Sequence, residues 1–481
     1  MPWRFDNTYT QLPEIFYKQV LPSPASNPQL IIFNEALAEA LDIPRDKSDV
    51  DSYSNILAGN KILEGSVPIA QAYAGHQFGH FTMLGDGRAI LLGEHLTSDN
   101  ERYDIQLKGA GQTPYSRRGD GRATLRSMLR EYIISEAIFH LGIPTSRSLA
   151  VVSTGDSVYR ETTHNGAVLT RVMSSHIRVG TFEYARQFGS IEDQQALLHY
   201  TLQRHYPHLL ETPRPALELV RTVLEKQVAL VINWLRVGFI HGVMNTDNMG
   251  IACETYDYGP CAFMNHYHPK TVFSSIDRQG RYAFENQPFI AHWNVSVLAG
   301  ALLPLIDENE DKAIELAQAV LDEFEKIFIG QWYQMMLSKI GIEKLTDESK
   351  QLLTDLMEYM HKNAMDYTNT FRSLIELDHH FQGSSLKEIH PEWLVRWEKC
   401  IAQQTNGMSG ARLLMAQVNP AFIPRNHVVE FVLDLSESGN LAPLYDLLEH
   451  IKTPYTPQHK RPEWNSAPLN HDKGYVTFCG T

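Results

Sequence analysis

Asn248 and Asp257, nine residues apart, are the side chains in this chain best suited to hold a hard divalent cation. An amide carbonyl and a carboxylate bind Mg2+ or Mn2+ through oxygen, and such ions are often held together with nucleotide phosphates. A turn with a capped Asn and Asp is the plain alternative. The preceding helical run, His241-Gly242 and the trailing Gly259 favour the metal site. Asp247 is the nearest carboxylate; it could accept a hydroxyl proton, support a metal ligand or cap the loop. Lys108 ends a strand-like stretch just before Gly109-Ala110-Gly111. A strand lysine opposite a helix glutamate directs its ammonium at phosphate oxygens, with Glu131 as the candidate partner and Glu136 as its competitor. Lys-Gly-Ala-Gly by itself says little, because it fits neither the Walker A nor the dinucleotide pattern.

Glycine lets backbone N–H groups approach a phosphate closely. Gly-Asp-Gly-Arg-Ala occurs twice, at 85–89 and 119–123, though either copy alone reads first as a good turn. Arg171 and Arg178 lie within eight residues of an otherwise acidic chain, and guanidinium groups clamp phosphates in bidentate fashion. A surface pair is the alternative. His76 reads as a hydrogen-bonded structural residue, and His266-x-His268 as a solvent-facing loop.

These groups need elements to hold them. Residues 1–65 contain one amphipathic stretch, Pro28–Leu41, and read as an arm packing onto the body. Thr82–Glu94 predicts two strands joined in a hairpin by Gly85-Asp86-Gly87-Arg88. Tyr103–Lys108 alternates, with Tyr103, Ile105 and Leu107 on one face and Asp104, Gln106 and Lys108 on the other. Arg122–Leu141 predicts a helix stopped by Gly142, and Ser148–Val152 and Val168–Val172 predict strands. Leu217, Val220, Leu224, Val228, Val231 and Leu235 predict a buried helix that Gly238 ends just before His241. Further helices are expected over Gln287–Leu305, Ala313–Ile340, Ser349–Leu377, Pro391–Gln403 and Asn426–Ile451, followed by an irregular tail.

The 481 residues carry a net charge of −14 without a block of Lys or Arg, which argues against nucleic acid or an anionic membrane as partner. The apolar runs Val228–Leu235 and Val295–Ile306 are too short to span a bilayer, and the first residues show no signal core, so a cytoplasmic location is expected. Four cysteines without a Cys-x-x-Cys pair suit neither a disulfide framework nor a structural zinc site. Cys479, two residues from the end, offers a thiol for oxidation or exchange, or is an incidental exposed cysteine.

The stretch 239–259 resembles a protein-kinase catalytic centre with one residue missing. Kinase-like enzymes carry His-x-Asp, then four residues and a metal-binding Asn, and later Asp-x-Gly. His241, Asn248 and Asp257-Tyr258-Gly259 fall in those roles, while the base position is Val243, which cannot accept a proton. More specifically, Tyr73–Gly79, Leu84–Ala89, Gln106–Gly111, Thr113–Arg117, His241–Asn248, Ser274–Arg278 and Asn286–Pro288 resemble the selenoprotein O (SelO/YdiU) family, in effect over the full length. The resemblance implies an α+β, protein-kinase-like two-lobed fold of the pseudokinase type. Its parts would be an N-terminal arm (1–65), a nucleotide-binding small lobe (66–180), a large lobe with the catalytic and metal loop (181–340), and a helical C-terminal extension with a Cys-bearing tail (341–481). It also implies a protein adenylyltransferase that moves AMP from ATP to Ser, Thr or Tyr hydroxyls of proteins, with Mg2+ (or Mn2+), releasing pyrophosphate. On that likeness Gly85, Gly87, Arg88, Lys108, Asp120 and Gly121 contact nucleotide, and Glu131 pairs with Lys108. Arg171 and Arg178 hold the terminal phosphates of a flipped ATP, Asn248 and Asp257 bind the metal, and Asp247 accepts the proton. The family's redox partner would act through Cys479. Here the tail reads Cys479-Gly480-Thr481 where many relatives have two serines after the thiol or selenol, and Val272–Ser275 lacks a second cysteine, with Cys261 the nearest. The rival readings are an ATP-dependent phosphotransferase using Asp247 and a non-catalytic nucleotide-binding pseudokinase.

Overall fold

A computed structural model describes residues 3–43, 50–376, 390–457, 460–468, 475 and 477. Cys479, and with it the expected redox tail, lies outside the described residues. An antiparallel sheet of β1 (Tyr17–Gln19), β2 (Gln29–Phe33), β3 (Ile69–Gln71), β6 (Ala89–Leu96), β7 (Arg102–Lys108), β9 (Arg147–Tyr159) and β10 (Thr163–Met173) runs in the order β1-β3-β6-β7-β10-β9-β2. The short β8 (Ala123–Thr124) joins it beside β10. A separate hairpin pairs β4 (Ala74–Gln77) with β5 (His80–Met83).

The alternation along β7 explains where the site lies. Ile105 and Leu107 are fully buried in an apolar layer with Ile90, Val152, Val168 and, from the small helices α1 (Glu35–Ala40) and α2 (Val50–Leu57), Leu37 and Leu57. Each such side chain contributes about 1.5–3 kcal/mol. The opposite face of the strand carries Asp104, Gln106 and Lys108, which are buried as well. A buried polar row must find partners or lose several kcal/mol, and its partners come from α3 (Leu125–His140), from β10 and from the loops beyond. Thr124 caps α3 by accepting the Ser127 N–H at 3.2 Å.

Beyond the sheet lie α4 (Val179–Phe188), α5 (Ile191–His205), α6 (Pro215–Val237) and α7 (Gln287–Ile306). The periodic apolar residues of α6 are buried, and Gly238 ends the helix at φ 73°, a left-handed conformation glycine adopts freely. The chain then enters β11 (Phe239–Ile240), which pairs with β12 (Ala262–Phe263) and closes off the loop between them. Helix α7 fixes that loop: the Gln287 amide accepts from His241 N–H at 3.0 Å and donates to Phe239 O at 3.0 Å, and Asn294 donates to Met244 O at 3.0 Å. With its preceding turn, the stretch Phe284–Ile306 is long and apolar enough to cross a membrane by length and composition, longer than the run Val295–Ile306 suggests. Half of it is buried inside the protein, where it packs on α4 and α6.

Several expected elements differ. The stretch Pro28–Leu41 is β2 followed by α1, with Asn34 capping the helix through the Leu37 N–H. Together with β1, the first 65 residues thus supply both edge strands of the sheet. Gly85–Arg88 does not close a hairpin. It crosses from β5 in the small ribbon to β6 in the main sheet, where Ala89–Leu96 pairs along most of its length with β7 and at Leu91 with β3. The long helices expected over 313–340, 349–377 and 426–451 are each broken: into Glu310–Leu321 and Glu323–Lys339, into Asp347–Lys362 and Tyr367–Ser373, and into Asn426–Glu437 and Ala442–Ile451. Leu377 lies outside the described residues. The second break has Ala364 at φ 47° and a new cap from Asp366, and the third has Gly439 at φ 91°. Helix Pro391–Ala402 matches its expectation to one residue, and Gly407–Val418 is an additional helix.

Candidate active site

Lys108 and Glu131 meet as the spacing suggested, with Nζ donating to Oε2 at 2.7 Å. The competitor Glu136 instead takes Arg147 and Asn34. Arg171, one strand over on β10, joins the pair: its Nε donates to Glu131 Oε1 at 2.8 Å and its Nη2 to Asp257 Oδ1 at 3.2 Å. Lys108 also contacts Asp257 Oδ1. Two cations and two carboxylates are thus interlocked, with Lys108, Glu131 and Arg171 buried and Asp257 partly exposed. Burial alone would raise both acids, but Arg171 and Lys108 hold the Glu131 carboxyl below its ordinary value. Lys108, Arg171 and Arg88 hold Asp257 well below the usual carboxylate range. Both are anions at neutral pH.

Arg178 is buried too, so the surface-pair reading of the two arginines is excluded. Its guanidinium lies 3.9 Å from the Tyr73 ring centre and donates to Asp86 Oδ1 at 3.3 Å and to the Asp247 carbonyl at 3.1 Å. Asp86, Tyr73 and Tyr256, whose ring lies 5.4 Å from the same guanidinium, were not singled out by the sequence. Asp86 sits inside the first Gly-Asp-Gly copy and could have been found there.

The two Gly-Asp-Gly-Arg turns come to one rim. Gly85 (φ 126°) leaves no room for a Cβ, since the Tyr115 ring occupies that space, and at Gly121 (φ 66°) a Cβ would strike the Gly111 carbonyl. Thr113 straps the turns by donating to Asp86 O at 2.6 Å, and Asp120 accepts from Arg160 at 2.9 Å. Gly85, Gly87, Arg88, Lys108, Asp120, Gly121, Arg171, Arg178 and Asp257 all line one cleft of about 400 Å3, within the range for a nucleotide-sized ligand. Among the described residues that cleft has seven cationic side chains and three carboxylates, in a chain of net charge −14. Such a lining suits a polyanion. Glu131 does not line it but stands behind Lys108.

Asp247 and Asn248 lie on the adjoining loop, outside that lining. The Asp247 carboxyl sits against Gly75 of β4, where any Cβ would collide with Oδ1. That oxygen is buried with no hydrogen-bond partner, and burial lifts the carboxyl to about 6 against the pull of Arg178. The loop is held from several sides: Tyr256 donates to Asp247 O at 2.7 Å, His76 N–H to Thr246 Oγ1 at 2.7 Å, and His241 Nε2 pairs with the Tyr256 carbonyl at 3.0 Å. His76 also pairs with Glu183, in keeping with a structural role. Val243 is buried and has no group that could take a proton. Asn248 donates through Nδ2 to Val243 O at 3.1 Å, and no group among the described residues donates to its Oδ1. That free carbonyl and the Asp257 carboxylate are a hard-oxygen set compatible with Mg2+ or Mn2+, although no three His, Cys, Asp or Glu side chains cluster as a metal site among the described residues.

The profile of the family described as "Protein adenylyltransferase SelO" matches residues 1–452. The chain belongs to this family. It is also 49% identical to the "Protein nucleotidyltransferase YdiU" of Nitrosococcus oceani over 485 residues, covering all of this chain and 97% of that protein. Proteins of the same name from Anoxybacillus flavithermus and Brevibacillus brevis are each 51% identical, again over the whole chain and 99% and 98% of their own lengths. The chain is accordingly an enzyme, a nucleotidyltransferase.

Proposed function

We propose that this enzyme transfers AMP from ATP to a Ser, Thr or Tyr hydroxyl of a protein and releases pyrophosphate. The observation that carries the reading is the burial of Arg171 and Arg178 beside Lys108 in the cleft. Three fixed cations there favour a triphosphate tail directed inward, with β- and γ-phosphates held by guanidinium and ammonium groups. The α-phosphorus is then the accessible electrophile. The acceptor oxygen forms a bond to it, the bond from the α-phosphorus to its bridging oxygen breaks, and the pyrophosphate charge that develops falls among those cations. The hydroxyl proton goes to Asp247, whose buried carboxyl, poised near neutrality, suits a general base better than an ordinary aspartate would. The proposed ligands of Mg2+ (or Mn2+) are Asn248 and Asp257; the ion, when bound, neutralises phosphate charge.

The same proposal takes residues 66–180 and 181–340 as the two lobes of a kinase-like fold, with the cleft between them and the helices beyond 341 as an extension. It takes the cytoplasm as the location and Cys479 as a redox-responsive tail. Comparing activity with and without reductant in wild type and Cys479→Ser tests the last point; identical responses remove it. For the reaction itself, ATP labelled at the α- or the γ-phosphate decides. Protein label from the α position alone is expected, and label from the γ position alone would replace the reading with phosphoryl transfer.

A further inference from the structure

Apart from the nucleotide cleft there is a second groove of about 540 Å3, bordered in part by the β4–β5 ribbon. It is bordered by Phe78 and His80 of the ribbon, Ile276, Arg278 and Arg281 of the following loop, and Phe289 in the first turns of α7. We propose that this groove receives the protein segment bearing the acceptor hydroxyl, and that it selects segments with an acidic side chain next to an apolar one. The proposal rests on the transfer reaction above and names the substrate class for it.

Three observations favour that occupant. First, the groove carries large apolar side chains that the fold leaves uncovered: Phe289 is 65% and Ile276 58% exposed. Second, its lining is net positive, with two arginines against one carboxylate among the described residues. Neither Arg278 nor Arg281 meets a carboxylate among the described residues, and Arg281 Nε is buried without a hydrogen-bond partner, its guanidinium 4.8 Å from the Trp293 ring centre. Asp277, the one acid in the lining, is already engaged by the backbone N–H groups of Arg281 at 2.9 Å and Tyr282 at 2.8 Å. A cationic and apolar groove on a chain of net charge −14 complements an acidic and apolar segment. Third, the groove shares an anchor with the proposed base. Asn245 Oδ1 accepts from Phe78 N–H at 3.1 Å and from the Tyr282 hydroxyl at 2.5 Å, and Asn245 is two residues before Asp247.

The test uses the full-length enzyme, α-labelled ATP and three synthetic acceptor peptides around one hydroxyl residue: flanked by Glu and Phe, by Lys and Phe, or by Glu and Ala. The Glu–Phe peptide is expected to have the lowest KM. Arg278→Glu, an exposed change with little risk to folding, should raise that KM at least about tenfold, because a like charge now faces the peptide carboxylate, and should favour the Lys–Phe peptide. Phe289→Ser should remove the advantage of Phe over Ala. The KM for ATP and the kcat at saturating peptide should stay unchanged in both variants. Equal labelling of all three peptides by wild type, or an unchanged preference in Arg278→Glu, overturns the groove assignment while leaving the transfer reaction standing. No α-label in any arm overturns both. A wild-type dimer in sedimentation that Phe289→Ser dissociates would make a second copy of the chain the occupant, and overturns the assignment as well.

Discussion

Asp247→Asn should make this enzyme inactive and more stable at the same time. The Asp247 carboxyl is buried, its Oδ1 lacks a partner, and burial lifts it from 3.8 to about 6. A carboxyl raised on folding is a stability cost once it ionises: stability is full below the unfolded value and is lost as pH rises through the folded one. A shift of about two units corresponds to about 3 kcal/mol above pH 7. Asparagine fills the same volume without charge, so the variant should exceed wild type by about that amount at pH 8 and by about half of it at pH 5. Denaturant unfolding at the two pH values measures both differences. AMP transfer should fall about 10²–10⁴-fold, the range for loss of a general base. In wild type the ionised fraction of a group at about 6 drops from about nine-tenths at pH 7 to one-tenth at pH 5, so the transfer rate should drop about tenfold, whereas an aspartate at its ordinary value would leave it almost flat. A variant less stable than wild type at pH 8, or a gain that does not shrink on acidification, refutes the reasoning.

Glu131→Gln leaves Lys108 and Arg171 buried with a single shared carboxylate, Asp257; a loss of about 3–5 kcal/mol in unfolding free energy is expected, with weaker binding in a nucleotide titration. Gly75→Ala puts a methyl group against Asp247 Oδ1, and should lower transfer while the affinity for ATP, measured by calorimetry, is kept. Arg126 bridges α3 to Glu430, Asp434 and Glu437 of the C-terminal helix Asn426–Glu437; because these groups are partly exposed, Arg126→Ala should cost about 1 kcal/mol at low salt and less at high salt, read from denaturation at two ionic strengths.

Much of this arrangement could be read from the chain. The alternation in Tyr103–Lys108 told which side of the strand would carry the lysine, and the 3.6-residue recurrence through Leu235 located the helix that delivers the His241 loop. These signals are local, and local sterics set them. What escaped is set at long range. Thr82–Glu94 contains two good strands and a good turn, yet the turn joins different sheets, since the partners of β6 come from Ile69–Gln71 and Arg102–Lys108. The burial of Arg171 and Arg178 had no local sign either, as an arginine reads as a surface residue until its carboxylates, from residues 131, 257 and 86, are folded around it. The uninterrupted helices expected near 322, 364 and 439 failed because apolar residues continue on both sides of each break, and both pieces bury them in the same core.

The flanks of the main sheet, Tyr17–Gln19 and Gln29–Phe33, stand ten residues apart in the chain and at opposite ends of the strand order. Whatever disturbs this short opening stretch opens two unpaired borders at once, and bare borders recruit other chains. During synthesis both pieces are made before their neighbours: Tyr17–Gln19 waits for Ile69–Gln71, and Gln29–Phe33 waits far longer, until Ala150–Ser153 has been made, so the nascent protein holds its two frame pieces unassembled in turn. An affinity tag or a truncation at this end therefore acts on solubility during production before it acts on catalysis, and preparations altered there are best compared by yield of soluble protein as well as by rate.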